Sequence, residues 1–498
     1  MKFKKFICFL LTSLIVVGTV GCGEKQTIPS LTQDSEQNNS ASITREVKKD
    51  QQSVFLGEWG TAAITTDGTL YTWGDNVTDT LGIDSVSNSN DEVPTPTALL
   101  SDAKSVYLSN GIPGAITASG DLYVWGYTEI ELDLGTDGIQ PTPVKLMSDV
   151  SSFSQFDNSY AVLTTNGDLY MWGSNEFGQI GTGSTDDQRT PVKILTDVVE
   201  VDLEHNHTAA ITKNGDLYTW GENGGIIGNT SLENQLTPVK VLENVVDVES
   251  DFDYTVALTE KGDLYAWGYC GHLGGSYMDV KEAAPQKILS GITFINETDG
   301  HFVFITSQND FGTLHYDSSA HLTRVTEKIV SDARFVRTRK GCYAVITNTG
   351  DLYTGGGSWN NYGILGNGTD EIPDEPTLIL SDVKDVKFSD DSCAALKTNG
   401  DLYTWGCNRN GQIGNGTTLE QLSPLKIMTN IAWFDTRYSP DFYSNIDCEG
   451  MAAITTDGDL YLWGGGVTPN DFSTVSGVSS DNPLIPVKFL ENVRIPEN

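Results

Sequence analysis

Chemistry needs nucleophiles, acids or metal ligands at a fixed spacing, and this chain offers few such sets. His205 and His207 stand two residues apart and could hold a metal, but they are two of six histidines and no third ligand follows their spacing; loop histidines are the plainer reading. Aspartates recur at Asp121, Asp168, Asp216, Asp263, Asp351, Asp401 and Asp459. Converged, they would suit calcium, yet each directly follows a glycine, a pattern that turn chemistry explains. Asp251 with Asp253, and Asp390 with Asp391, are the acid pairs a lyase or hydrolase could use; solvated carboxylates account for them as well. The sequence has no Gly-x-Ser-x-Gly elbow, no His-Glu-x-x-His pair and no phosphate loop ending in Gly-Lys-Ser/Thr. No residue is therefore assigned to catalysis or to a metal, and no cofactor is implied.

The cysteines divide by position. Cys8 and Cys22 lie near the start, leaving Cys270, Cys342, Cys393, Cys407 and Cys448, an odd set without metal-ligand spacing. Cys342 and Cys393 occupy matching places in successive repeats, so a bridge between them is open, as is a pair of buried free thiols.

These residues are carried by a repeat. Leu-Tyr-x-Trp-Gly occurs seven times, with Trp73, Trp125, Trp172, Trp220, Trp267, Trp405 and Trp463. Two worn copies, at Leu314-His315-Tyr316 and Leu352-Tyr353-Thr354-Gly355, bring the count to nine, at spacings of 38 to 58 residues. In the fourth copy Val199–Leu203 alternates apolar and acidic residues, and Thr208–Thr212 is a strand of small residues. Lys213-Asn214-Gly215-Asp216 is expected to be a type I′ hairpin turn, followed by the aromatic strand Leu217–Gly221. After a glycine-bent loop, Pro238–Leu242 opens a last strand. Four short strands per period give one antiparallel sheet, which must bury both faces. Radial repetition does so, with the Ala-Ala-Ile-Thr strand expected nearest the axis and tryptophan filling the wedge between blades.

The run Leu163–Gly181, with Asn166-Gly167-Asp168-Leu169-Tyr170-Met171-Trp172-Gly173 and Asn175-Glu176-Phe177-Gly178-Gln179-Ile180-Gly181, followed by Thr190-Pro191-Val192-Lys193, resembles the regulator of chromosome condensation repeat. The copy through Trp405–Gly414 resembles it equally, and the resemblance covers about residues 53–498. It implies an all-β propeller, typically seven-bladed; the nine periods here favour nine blades in one closed ring. Closure should bring Val54-Phe55 beside Val487–Leu490 and make Ala63 and Ala453 neighbours. The founding member of the family is a nuclear exchange factor for a small GTPase that binds chromatin, and an exported relative inhibits β-lactamase.

Lys2, Lys4 and Lys5 precede the apolar run Phe6–Val20, and Gly21-Cys22 follows. This reads as an export signal over 1–21 with Cys22 as a lipid-attachment site, 22–52 as a disordered tether and 53–498 as the propeller. Export to a bacterial cell surface follows from that reading, with the membrane reached through the lipid alone. A formal charge of −37 disfavours nucleic acid. The chain is thus expected to be a monomeric, non-catalytic binding scaffold for an extracellular protein or a wall glycan. An envelope enzyme with an acid pair on one propeller face is the alternative, and an exchange factor is less in keeping with an acidic exported chain. Binding is expected in the loops after Trp-Gly, at Phe177, Tyr269, Trp359 and Tyr362, and in the connection carrying Trp433, Phe434, Tyr438, Phe442 and Tyr443.

Overall fold

A computed structural model of the protein describes residues 52–57, 60–76, 79–84, 92–108, 112–127, 139–250, 254–269, 281–298, 301–317, 322–356, 360–436, 450–465 and 483–496. Residues 1–51, Cys22 among them, lie outside this set.

The chain forms nine four-stranded antiparallel sheets, each drawn from one repeat with its strands in sequence order. They are the blades of a nine-bladed β-propeller. In blade 4 the strands are Val198–Glu204, His207–Thr212, Leu217–Gly221 and Gln235–Leu242. The second strand is buried throughout and the third nearly so, while the fourth is half exposed. The first strand, not the Ala-Ala-Ile-Thr strand, is innermost. First strands of successive blades are joined by polar links: the Ser250 amide donates to the Asp202 carboxylate at 3.0 Å, and the Thr338 hydroxyl to Asn296 at 3.1 Å. The small residues of the second strand instead let neighbouring sheets close on one another, as Ala161 and Ala210 do within one buried cluster.

The hairpin between second and third strands also differs from expectation. Gly215 alone is left-handed, at φ +78°, and its amide closes a turn onto the Thr212 carbonyl at 2.8 Å. A type I turn ending in a left-handed glycine has formed, because the Thr212 hydroxyl accepts from the Asp216 amide at 3.2 Å and fixes the extra residue.

All seven repeat tryptophans are at most 1% exposed. Five of them are held by the loop of the blade before. The indole N–H of Trp220 donates to the Gln179 carbonyl at 2.8 Å, and that of Trp267 to Ile226 at 2.7 Å. Trp125, Trp405 and Trp463 bond Thr80, Ile364 and Gln412 in the same way. The ring lies against a loop glycine: a Cβ on Gly181 would fall 2.8 Å from the Trp220 indole nitrogen.

Blade 6 corrects the repeat register. Ile305 pairs with Phe311 and Phe302 with Leu314, so Phe311 takes the leucine position and Leu314 the tryptophan position. The spacings there become 47 (264 to 311) and 41 (311 to 352). In blade 7 Gly355 stands where tryptophan would, and Tyr343 takes the room: a Cβ on Gly355 would lie 2.5 Å from the Tyr343 hydroxyl.

The ring closes. Trp73 and Phe489 have ring centroids 5.1 Å apart, and Val54, Ala63, Ala452 and Leu462 share a buried cluster. Ala452 is therefore the seam residue, whereas Ala453 faces blade 8 in the cluster of Ala394 and Trp463. The C-terminal tail supplies the start of blade 1's first strand. Val493 pairs with Thr65 as Val245 pairs with Thr259 in blade 5, after which Val54–Leu56 continues the strand. Arg494 donates its amide to the Ile64 carbonyl at 2.8 Å, and the Ser53 hydroxyl donates to the Arg494 carbonyl at 2.6 Å.

Trp220→Ala should cost roughly 3–5 kcal/mol, because the indole fills a closed wedge and its N–H is bonded across the blade boundary. Chemical denaturation measures this; an unchanged midpoint would remove the wedge account.

Candidate binding face

Antiparallel order sends the 1–2 and 3–4 connections of every blade to one face of the disc and the 2–3 and 4–1 connections to the other. On the second face, the turn face, the recurring aspartates are committed to structure. Asp121 pairs with Lys145 at 2.8 Å, Asp168 with Lys193 at 2.7 Å, Asp216 with Lys240 at 2.8 Å and Asp263 with Lys287 at 2.7 Å. Asp401 and Asp459 pair with Lys426 and Lys488 at 2.6 and 3.0 Å. The lysine comes from the fourth strand, so each pair ties the hairpin to the outer edge. The Lys145 contact holds the Asp121 carboxyl below its usual range, and Lys426 does the same for Asp401. Such exposed pairs each contribute little to stability.

The first face, the loop face, is built by an asparagine. In blade 3 the Asn175 side-chain oxygen accepts from the Ile180 amide at 2.9 Å, and its amide donates to the Ser184 and Asp186 carbonyls, each at 2.9 Å. Asn223, Asn360 and Asn408 repeat this in blades 4, 7 and 8. Threonine on the third strand adds a second tie, as where Thr404 donates to the Ile413 carbonyl at 2.7 Å. With the backbone so pinned, the remaining loop side chains are free to vary.

Several of those side chains are apolar and exposed. Leu232 of blade 4, Ile372 of blade 7, Leu419 of blade 8 and Ile485 of blade 9 all lie between third and fourth strands, Leu419 at 73% exposure. Three of the four belong to consecutive blades. Among them Arg409 of blade 8 lies over the Tyr362 ring at 4.6 Å and donates to its hydroxyl at 2.5 Å. Tyr362 has a left-handed φ of 64°, uncommon for a bulky residue and a sign that the loop determines its direction.

Of the aromatics singled out by sequence, Tyr362 and Phe177 are half-buried at equivalent loop positions. Tyr269 closes the third strand of blade 5, Leu264–Tyr269. Trp359, Tyr438, Phe442 and Tyr443 lie outside the described residues, as do Cys270, Cys448, Asp251 and Asp253. Trp433 and Phe434 are corrections. They sit in the first strand of blade 9, Ile431–Thr436, 8% and 2% exposed, in the clusters that join blade 9 to blades 1 and 8. Their clustering in sequence reflects core packing on both sides of one strand. The exposed aliphatics of the loops were missed because single leucines and isoleucines carry no pattern.

The other candidates resolve as structure. Cys342 and Cys393 are buried thiols that form no disulfide, and burial pushes the Cys342 pKa up to about 11. Asp390 is bonded by Arg339 at 2.6 Å, and Lys340 lies 3.8 Å from Asp391, so the acid pair is neutralised across blades 7 and 8. A cleft of about 630 Å³ at the seam holds Asp67 and Glu491. Asp67 accepts from the Thr65 hydroxyl at 2.6 Å and its pKa is lowered, and Glu491 pairs with Lys488 at 2.7 Å.

His205 packs on Phe156, with centroids 4.8 Å apart, while His207 is buried in blade 4 with no partner for Nε2. Burial lowers the His207 pKa to about 4.

A closed ring of four-stranded blades framed by its repeated residues is a β-propeller by class. The family follows from the repeat. The regulator of chromosome condensation (RCC1) repeat matches residues 166–211 and 399–432, and a second model of the same repeat matches 52–78 and 383–412. The chain is a propeller of the regulator of chromosome condensation repeat type. It is similar to the ultraviolet-B receptor UVR8 of Arabidopsis thaliana, 34% identical over 120 residues, 23% of this chain and 26% of that protein. It is also similar to the human E3 ubiquitin-protein ligase HERC2, 33% identical over 95 residues, 19% of this chain and 2% of that protein. The matches thus span about a quarter or less of the length of these relatives. Among solved structures, human WBSCR16 is 19% identical with a TM-score of 0.46, covering 74% of this chain and 97% of that one.

The His207 burial predicts a pH dependence. The folded state holds the ring neutral down to about pH 4, whereas the unfolded chain takes a proton near its ordinary value of 6.5. Stability from this group is therefore present above pH 6.5 and lost as pH falls toward 4, by roughly 3 kcal/mol. His207→Gln should flatten the stability profile in that window; an unaltered slope would show that the ring is not the cause.

Proposed function

We propose that the protein is an exported, lipid-anchored binding module whose loop face holds a protein or a cell-wall glycan at the bacterial surface, without catalysis. The observation that carries this is that Ile372, Leu419 and Ile485 are exposed in the third-to-fourth-strand connections of three consecutive blades, two of which also carry the Tyr362–Arg409 pair. Exposed apolar side chains with an aromatic and an arginine are what binding hot spots are made of. A rigid frame lowers the ordering cost of binding. Carboxylates kept ionised by lysine partners favour this reading over an acid–base enzyme, which needs an acid of raised pKa. The anchor rests on Gly21-Cys22 after the apolar run Phe6–Val20.

Two measurements test it. Cells grown with labelled fatty acid should label the native protein and not Cys22→Ser, which should also leave the membrane fraction; absence of label on the native protein removes the anchor. The released Cys22→Ser chain, immobilised, should retain an envelope component, and adding Leu419→Asp with Ile485→Asp should lower that retention about tenfold. Equal retention by both forms would exclude this face.

A further inference from the structure

We infer that the turn face carries a second binding site, at the inner rim of the ring, for a short acidic polypeptide segment that also bears apolar side chains. The site is built from one backbone feature. Just after its first residue, the first strand of each of blades 2 to 9 holds a β-bulge. In blade 5 Val245 pairs with Thr259 and Asp247 with Leu258, so Val246 has no partner residue. A bulge re-aims its side chain out of the ladder, and repetition around the ring places these side chains on one rim. Blade 1 has the same position through the C-terminal tail, where Arg494 follows Val493.

The rim residues are unlike the rest of the protein. Blades 7, 8, 1 and 2 contribute Arg334, Lys384, Arg494 and Lys104, and no blade contributes an acid. That is notable in a chain with a formal charge of −37. Lysines of the fourth strand are matched by aspartates, whereas these four have no carboxylate within ion-pair distance among the described residues. The two arginines behave alike. Arg334 donates to the carbonyl of Lys384, and Arg494 to that of Lys104, each at 3.4 Å. Each guanidinium thus leans on the next blade's bulge with most of its donors unspent, the arrangement that suits a bidentate carboxylate. The acids two residues before the rim in blades 7 and 8 are engaged elsewhere: Asp332 accepts from the Asn348 side-chain amide at 2.7 Å, and Asp382 lies 3.8 Å from Lys397 at the end of the second strand.

The other arc of the rim decides the ligand. Blade 4 presents Val199, 40% exposed, and blade 5 presents Val246, half-buried with one side packed on the cluster between blades 5 and 6; the remaining positions are a serine, a threonine and an alanine. A phosphodiester polymer would find cations there but nothing for the valines. An extended polyanion would also meet the acidic remainder of the disc. A short segment alternating acidic and aliphatic residues meets both arcs. This site is on the opposite face from the loops of the proposed function and stands without them.

The test is anisotropy of a labelled peptide of alternating Glu and Leu, with the Cys22→Ser chain titrated in. Binding is expected, weakening with salt. Arg334→Ala with Lys384→Ala should lower affinity about tenfold, as loss of two charge-assisted contacts would. Lys261→Ala, on a hairpin turn of the same face, and Leu419→Asp should leave it unchanged, and melting curves confirm that each variant is folded. No binding by the native rim, or equal binding by the double variant, overturns the proposal. Preference for inorganic polyphosphate over the peptide overturns it too, because the valine arc would then be idle.

Discussion

The contact on which the disc depends is the seat of one blade's tryptophan on the loop of the blade before it. Each seat has three parts: a carbonyl that accepts the indole N–H, a glycine that leaves room for the ring, and an asparagine that holds the loop in shape. Blade 3 supplies all three to Trp220, through Gln179, Gly181 and Asn175. Not every blade carries the asparagine in sequence. Thr128 and Gly466 stand at the asparagine position in blades 2 and 9. The tryptophans that follow those blades, Trp172 and Trp73, are the two whose indole nitrogens have no hydrogen-bond partner. Trp172 is stacked instead, 5.5 Å from Tyr160 and 6.0 Å from Phe153. Blade 5 has Cys270 at that position, and the next blade has Leu314 in place of tryptophan.

The seam meets the second constraint, that a sheet edge must not be left bare. Most of each blade comes from one repeat, so closure requires only a short overlap. The tail from Asn492 to Arg494 copies the start of a first strand and lends it to blade 1. Val493 is 1% exposed there, and the Thr66 amide donates to the Asn492 carbonyl at 2.7 Å. The same tail places Arg494 on the inner rim, so closing the ring and completing its cationic arc are one event.

Much of this was legible in the sequence. The fifty-residue period, the aromatic strand and the turn aspartates gave blade count, fold and closure, because each recurs under the same packing demand. What depended on pairing register was not. Phe311 rather than Leu314 is the sixth repeat residue because the hairpin turn sets register, and there Asn309 at φ 61° replaces the usual glycine and hid the turn. The strand nearest the axis was misplaced because small residues mark close sheet contact as well as a crowded centre. Trp433 and Phe434 looked like a loop patch because both faces of a first strand can be buried. The bulge rim could not be seen, since a bulge follows from two strands and not one.

The central claim is one ring of nine blades closed between its first and last repeats. Thr66 and Glu491 both line the seam cleft, from blades 1 and 9. Thr66→Cys with Glu491→Cys, in a chain whose native cysteines are serine, should be joined by a short bifunctional thiol reagent within one molecule, giving a compact monomer band. Crosslinking only between molecules, or none at all, would contradict a closed ring.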